Sequence, residues 1–394
     1  MSLNATPSSE RVHIGFFGKR NVGKSTVVNA VTGQNMSVVS PVKGTTTDPV
    51  RKSMELLPLG PVVIIDTPGI DDSGELGSLR VEKTRNILEH VDIAVLIADA
   101  SEGLSDTDRE LIKLFDDRNV AFIVAYNKSD TLSELPVAKK NEIYVSARDN
   151  VNITELKELI ASVVKPEERK YELIGDLISP SDFVVLVTPI DSAAPKGRMI
   201  LPQQQVIRAV LEADAAAIVV QENRLLDTLE NLGKKPSLVV TDSQAFAKVS
   251  AGTPLDIPLT SFSILFARYK GLLGAALSGV NALDALEGGA KVLICEGCTH
   301  HRQCDDIGTV KLPRWIREYT GKDFEFSFTS GGGFPEDLSP YELIVHCGGC
   351  MLNDRAIKYR MRLAEGAGVP ITNYGTLIAH MQGILERSTA MLGL

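Results

Sequence analysis

The stretch Gly18-Lys19-Arg20-Asn21-Val22-Gly23-Lys24-Ser25 constrains this chain more than any other. It has the glycine and lysine spacing of a phosphate loop, follows the apolar run Val12 to Phe17 and opens a helical pattern, the order such a loop requires. Glycines let backbone N–H groups curl round phosphate oxygens, Lys24 reaches the β- and γ-phosphates, and the Ser25 hydroxyl suits Mg2+. Asn21, Val22, Gly23 and Thr26 complete the expected nucleotide-binding stretch.

A loop of this kind needs a parallel sheet beneath it. Apolar runs at Val12 to Phe17, Val62 to Asp66, Ile93 to Ala98, Ala121 to Tyr126 and Glu142 to Val145 alternate with amphipathic segments of helical length. This predicts a doubly wound α/β domain. The charged stretch Lys165-Pro166-Glu167-Glu168-Arg169-Lys170 marks its end, Pro166 closing the preceding helix. A second alternation from Phe183 to Thr241, without Cys or His, reads as a small α/β module for packing or self-association. Ser261 to Leu286 is interrupted by Arg268, Lys270 and Asp284 and lacks the run of about 20 apolar residues of a membrane helix, so it reads as a buried helix. Domains are expected at 1–168, 169–265 and 266–394, in keeping with about 100 to 200 residues per domain.

Further strand ends of the first domain carry polar signals. Asp66-Thr67-Pro68-Gly69 puts Asp66 beside Mg2+ and the Gly69 amide near the γ-phosphate. In Asn127-Lys128-Ser129-Asp130, the Asp130 carboxylate can accept from the ring N–H and amino group of guanine, donors that adenine does not offer in that arrangement. Ser146-Ala147-Arg148 suits the loop closing over the base. Gly44-Thr45-Thr46-Thr47-Asp48 lies where a switch is expected, with Thr46 closing onto Mg2+ and the γ-phosphate. Lys24, Thr46 and Gly69 are the expected catalytic contacts for GTP hydrolysis to GDP.

A net charge of −9 without a dense basic run argues against nucleic acid or an anionic membrane as partner. Met1 to Glu10 lacks the basic start and apolar core of a signal peptide, so a cytoplasmic location is expected. All five cysteines lie after residue 294, which in a reducing compartment favours a metal site over disulfides. Cys295, Cys298, His300, His301 and Cys304 form one cluster; His346, Cys347 and Cys350 form the other. Each follows an apolar strand, Lys291 to Ile294 and Glu342 to Val345, and parallel pairing of those strands would make the clusters converge. Spacing alone leaves structural zinc and an iron–sulfur cluster equally open. Gly348 and Gly349 leave amides free to point at sulfur, and Cys295 reads as a buried strand residue. His13, His90 and His380, isolated on apolar or helical segments, read as structural.

Residues 12–165 resemble the Era/TrmE group of translation-factor-related GTPases. That resemblance implies that Ile70 stands where Ras-like proteins have a water-orienting glutamine, and that Asn21 helps to hold K+, whose charge replaces an arginine finger. Cys298-x-His300, 45 intervening residues, then His346-Cys347-x-x-Cys350 is similar to the signature of the HydF family, the GTPases of FeFe-hydrogenase maturation. This second resemblance covers the whole chain: a TrmE-like GTP-binding domain, a cysteine-free dimerisation domain and a cluster-binding domain. It implies a 4Fe-4S cluster on Cys298, Cys347 and Cys350, with His300 or His346 as candidate fourth ligands. It also implies a homodimeric scaffold that exchanges with radical-SAM maturases and delivers a diiron subcluster precursor to apo FeFe-hydrogenase, with GTP hydrolysis regulating these encounters. The alternatives are an Era/TrmE-like GTPase acting on RNA or ribosome with structural zinc, and a redox-sensing GTPase whose cluster gates hydrolysis. The reading of Asn21 and Ile70 predicts slow GTP turnover that is faster in K+ than in Na+; equal rates in the two salts would contradict it.

Overall fold

The computed structural model describes residues 6–34, 49–69, 84–164, 169–189, 199–298 and 306–393. Thr46 and its loop, Ile70, His300, His301 and Cys304 lie outside the described residues. The chain divides into two compact units, Thr6–Glu167 and Glu168–Leu394.

In the first unit, β1 (Val12–Gly18), β2 (Val50–Leu56), β3 (Gly60–Asp66), β4 (Ile93–Asp99), β5 (Ala121–Asn127) and β6 (Glu142–Tyr144) form a sheet ordered β2-β3-β1-β4-β5-β6. Every pairing is parallel except β2 with β3. Helices cover the sheet, so β4 is buried along its whole length, as a parallel strand must be when both faces are covered. Winding reverses beside β1, and α/β sheets bind ligands at the carboxyl ends of strands at such a switch. The phosphate loop leaves β1 there. Sequence patterning misses β2 because Arg51, Lys52 and Glu55 are exposed on this edge strand and Leu56 alone is buried.

Among its described residues the second unit holds two four-stranded, wholly parallel sheets. The first contains β7 (Phe183–Val187), β8 (Ala216–Val220), β9 (Leu238–Thr241) and β10 (Leu259–Ser261), in the order β10-β9-β7-β8. The second contains β11 (Lys291–Glu296), β12 (Glu325–Ser330), β13 (Leu343–His346) and β14 (Ile371–Asn373), in the order β12-β11-β13-β14. Counted from its own first strand, each sheet reads second, first, third, fourth. The registers also correspond: Val187 and Ser261 face Thr241 in one sheet, and Cys295 and Asn373 face His346 in the other.

The correspondence extends into the helices. Phe262–Tyr269 follows β10, with Ser261 Oγ accepting from the Ile264 amide; Tyr374–Met381 follows β14, with Asn373 Oδ1 accepting from the Thr376 amide. Two residues past each helix is a glycine at positive φ, Gly271 at 74° and Gly383 at 68°. Leu259 to Leu273 aligns without a gap on Ile371 to Leu385, with identity at Thr260/Thr372, Leu265/Leu377, Ala267/Ala379, Gly271/Gly383 and Leu273/Leu385. The unit is therefore a pair of lobes with one topology. Asn373 Nδ2 donates across to the carbonyl and hydroxyl of Ser263 at 3.1 and 3.0 Å, and one apolar core runs through both sheets.

Two expectations change here. Ser261 to Leu286 forms three helices, Phe262–Tyr269, Leu273–Val280 and Ala282–Ala285, because Gly271 takes a left-handed conformation that ends the first. The domain boundary expected at 265/266 falls inside the first of them.

Buried charges pin this unit together. Arg268, 4% exposed, donates to the Leu392 and Glu172 carbonyls and to both oxygens of Asp176. Lys270, whose side chain is fully buried, donates to Asp354 Oδ1 at 2.8 Å, and Arg169 Nε reaches Asp354 Oδ2 at 2.8 Å. Burial raises the Asp354 pKa, but the two cations outweigh it and hold this carboxyl below its ordinary value. A depressed carboxylate stabilises the fold above the ordinary aspartate pKa, and that contribution is lost as pH falls through the folded value. Asp354→Asn should cost on the order of 3 kcal/mol near neutral pH and flatten the acid limb of the stability profile. Denaturation followed by the fluorescence of Trp315, the single tryptophan, measures both.

Candidate functional site

The nucleotide site is assembled by hydrogen bonds between its sequence signals. Gly18, Asn21 and Gly23 carry positive φ values of 148°, 67° and 83°, which turn the loop tightly from β1 into the helix Lys24–Thr32. A Cβ on Gly23 would collide with the Asn127 side-chain amide. That close approach has a purpose, because Asn127 Nδ2 donates to the Val22 carbonyl at 2.9 Å while its Oδ1 accepts from the Ala147 amide at 3.1 Å. One buried side chain thus ties the phosphate loop, the end of β5 and the Ser146-Ala147 loop together. Asn127, expected among the nucleotide contacts, is here also a strut between these segments.

Lys24 and Asp66 meet in an ion pair, and Lys24 Nζ also donates to the Thr67 carbonyl. Thr67 Oγ1 donates to the Phe16 carbonyl at 2.7 Å, fixing this turn to β1. Gly69 faces the phosphate loop, where an added Cβ would lie 3.2 Å from Arg20 Cα. Ser25 stands in the first turn of the loop's helix and Thr26 follows on the exposed side. Asp130 is oriented by Ser146, whose hydroxyl donates to Oδ1 at 2.7 Å. Lys128 donates to Asp99 Oδ2 at 2.6 Å; burial opposes ionisation of Asp99, yet hydrogen bonds from Lys128 and Ser101 bring its pKa below the ordinary value. The described nucleotide residues therefore converge at the carboxyl ends of β1, β3 and β5. This mix of glycine-lined loop, lysine and hydroxyl suits a phosphate with Mg2+.

In the second unit, the parallel pairing of β11 with β13 sets Cys295 beside His346, and the Cys347 amide donates to the Cys295 carbonyl at 2.9 Å. Cys298 follows β11, while Cys347 and Cys350 follow β13. The Gly297 and Gly349 amides point at Cys347 Sγ, at 3.1 and 3.4 Å. Burial raises the Cys347 thiol pKa, and those two amides oppose the shift by favouring the thiolate. The Cys350 thiol is raised by burial, then by the charges of Cys347 and Cys298. Thiols that burial and mutual repulsion hold protonated are relieved when a cationic centre binds them as thiolates. Cys295 is wholly buried in β11, its pKa pushed up to about 12 by burial, as its strand reading expects.

His346 is 1% exposed and both ring nitrogens are engaged. Arg360 can only donate, so Nε2 of His346 accepts from it at 2.9 Å, and Nδ1 carries the proton donated to the Cys347 carbonyl at 2.7 Å. Burial first and the Arg360 charge second lower the His346 pKa to about 3. For His346 to ligate a metal, Nε2 would have to leave Arg360. Among the described residues no group of three or more His, Cys, Asp or Glu is arranged around a single ion. Ligands of one ion converge on a point, whereas a cubane cluster takes one ligand at each corner.

Comparison with known proteins fits this division. Residues 173–271 match the Hydrogen maturase F dimerization domain and residues 274–391 the Hydrogen maturase F tetramerization domain. The chain belongs to the hydrogen maturase F family. Residues 13–128 match the 50S ribosome-binding GTPase family, and the first unit of this maturase F chain is a GTPase domain. GTPase Der of Wolinella succinogenes is 36% identical over 184 residues, 43% of this chain and 38% of that protein. The tRNA modification GTPase MnmE of Clostridioides difficile is 33% identical over 155 residues, 37% of this chain and 33% of that protein. The chain thus spans about a third of the length of these relatives. Among solved structures, Era from Aquifex aeolicus has a TM-score of 0.35 at 22% identity, covering 56% of this chain and 98% of its own. The G domain of the T. maritima FeoB iron transporter has a TM-score of 0.30 at 20% identity, covering 39% of this chain and 99% of its own. Among the described residues no helix is long and apolar enough to cross a membrane.

The two-ended role of Asn127 yields a direct expectation. Asn127→Ala removes two buried hydrogen bonds, each worth about 1 kcal/mol, so GDP affinity should fall about tenfold or more. Preference for GDP over ADP, expected to rest on Asp130, should persist. Titration with a fluorescent GDP analogue, with ADP as competitor, measures both.

Proposed function

We propose that this chain is a GTP-hydrolysing scaffold and carrier in FeFe-hydrogenase maturation. In this reading Cys298, Cys347 and Cys350 hold a 4Fe-4S cluster, and the second unit carries the diiron subcluster precursor to apo-hydrogenase. The observation that carries the proposal is the convergence of these cysteines at the ends of adjacent parallel strands, with two backbone amides aimed at Cys347 Sγ. When bound, such a cluster would supply one iron without a cysteine ligand, open to exchange with another metal centre. His300 remains a candidate for that iron. His346, held by Arg360 and the Cys347 carbonyl, better fits the role of fixing the Cys347 turn.

The first unit would act as a timer. Lys24 and the phosphate-loop amides would bind the phosphates, Ser25, Thr46 and Asp66 would hold Mg2+, Gly69 would meet the γ-phosphate, and Asn21 would support K+. Asn127 and Ala147 would shape the base pocket that Asp130 reads. Hydrolysis biases which partner is bound, and no bond of the cargo is made by it. The partners in this reading are apo-hydrogenase, the radical-SAM maturases and a second copy of this chain, and the dimerization and tetramerization matches support the last of these.

Anaerobic reconstitution with iron and sulfide, followed by EPR, tests the cluster reading. The parent chain should show a reducible 4Fe-4S signal, and the Cys298/Cys347/Cys350 triple alanine variant should lack it. Stoichiometric zinc without an iron–sulfur signal would overturn the reading. Failure of the loaded protein to activate apo-hydrogenase would overturn the carrier role while leaving the cluster in place.

A further inference from the structure

One residue past the paired set Cys295, His346 and Asn373 come Glu296, which ends β11, and Cys347 and Tyr374, which follow β13 and β14 directly, a row along the rim of the sheet. The outer two members of that row converge. An added Cβ on Gly308 would lie 2.5 Å from Glu296 Oε1 and 2.5 Å from Tyr374 Oη, so the carboxylate and the phenol face one small space that only glycine leaves open. Tyr374 is 5% exposed, and among the described residues its hydroxyl has no hydrogen-bond partner. A buried hydroxyl left unsatisfied costs about 1–3 kcal/mol, and such an atom in a native fold calls for an explanation.

The other lobe supplies the comparison. The position equivalent to Tyr374 is Phe262, which is also buried and also begins the helix after its fourth strand. The equivalents of Glu296 and Cys347, by register, are Thr188 and Asp242. The same architecture is thus built without the hydroxyl where there is no cysteine, and the oxygen appears in the lobe that has them. Packing therefore does not require it.

We propose that the Tyr374 hydroxyl donates a hydrogen bond to sulfur of the cluster on its Cys347 side, and that Gly308 keeps the space this hydroxyl needs. The proposal rests on the cluster reading given above. Burial raises the Tyr374 pKa well above its ordinary value, so the phenol keeps its proton and can donate. A donor to cluster sulfur stabilises the additional negative charge of the reduced state and raises the reduction potential. Tyr374 is in this sense a positioning and tuning residue.

The test uses the full chain, reconstituted anaerobically with iron and sulfide. Tyr374→Phe, which installs the residue of the other lobe, should retain the EPR-active cluster and shift its potential to more negative values in a spectroelectrochemical titration. Gly308→Ala should displace the hydroxyl and shift the potential in the same direction. Without iron, Tyr374→Phe should melt at the parent temperature or above, since it removes an unsatisfied polar atom. Identical potentials and g-values in parent and Tyr374→Phe overturn the inference. A lower melting point for iron-free Tyr374→Phe also overturns it, because the hydroxyl would then have a partner within the protein. A parent chain that takes up no cluster overturns the cluster reading itself, a result distinct from either.

Discussion

Parallel strand pairing is the constraint on which both sites depend. In a parallel sheet every strand ends at the same edge, so residues far apart in sequence are delivered to one rim without long loops reaching for each other. In the first unit, Gly18, Asp66 and Asn127 close adjacent or near-adjacent strands. In the second, the pairing of Cys295 with His346 brings together two cysteine clusters separated by 41 residues. Both faces of these strands are apolar and covered, so polar chemistry is confined to the rims. There it is held by small polar linkages such as Asn127 to Val22 and Ala147, and His346 to Arg360.

Much of this was legible in the sequence for a physical reason. A buried parallel strand is a short continuous apolar run, and the phosphate loop, the Asp66 turn and the Asn127 signal each sit just beyond one. The apolar runs that end at Ile294 and Val345 announced the convergence of the cysteines in the same way. Elements that lack that pattern escaped notice: β2 is exposed and charged, and β10 and β14 are three residues long. The helix break at Gly271 depends on backbone conformation, which a run of apolar residues conceals.

The duplicated lobe was hidden for a different reason. Equivalent residues are separated by 108 positions at Val184 and Val292, 105 at Leu238 and Leu343, and 112 at Thr260 and Thr372. A search for a fixed period fails when connecting segments differ in length. The signal that could have revealed it is local: the aligned stretches ending in Gly271 and Gly383. The part played by Arg360 and by the Tyr374 hydroxyl could not be read from spacing at all, because neither lies in a recognisable pattern and both act through three-dimensional neighbours.

The shared core of the two lobes has a consequence for how this chain came to fold. Each lobe leaves one face of its sheet to be covered in part by the other, through the helices after β10 and β14 and through residues from Leu173 to Leu392. If both descend from one ancestral lobe, that ancestor had to associate with a copy of itself to bury the same surface, and fusion turned an intermolecular contact into an intramolecular one. Such a fusion would also free the two halves to diverge, one with cysteines at its rim and the other, at the positions of Glu296 and Cys347, with Thr188 and Asp242.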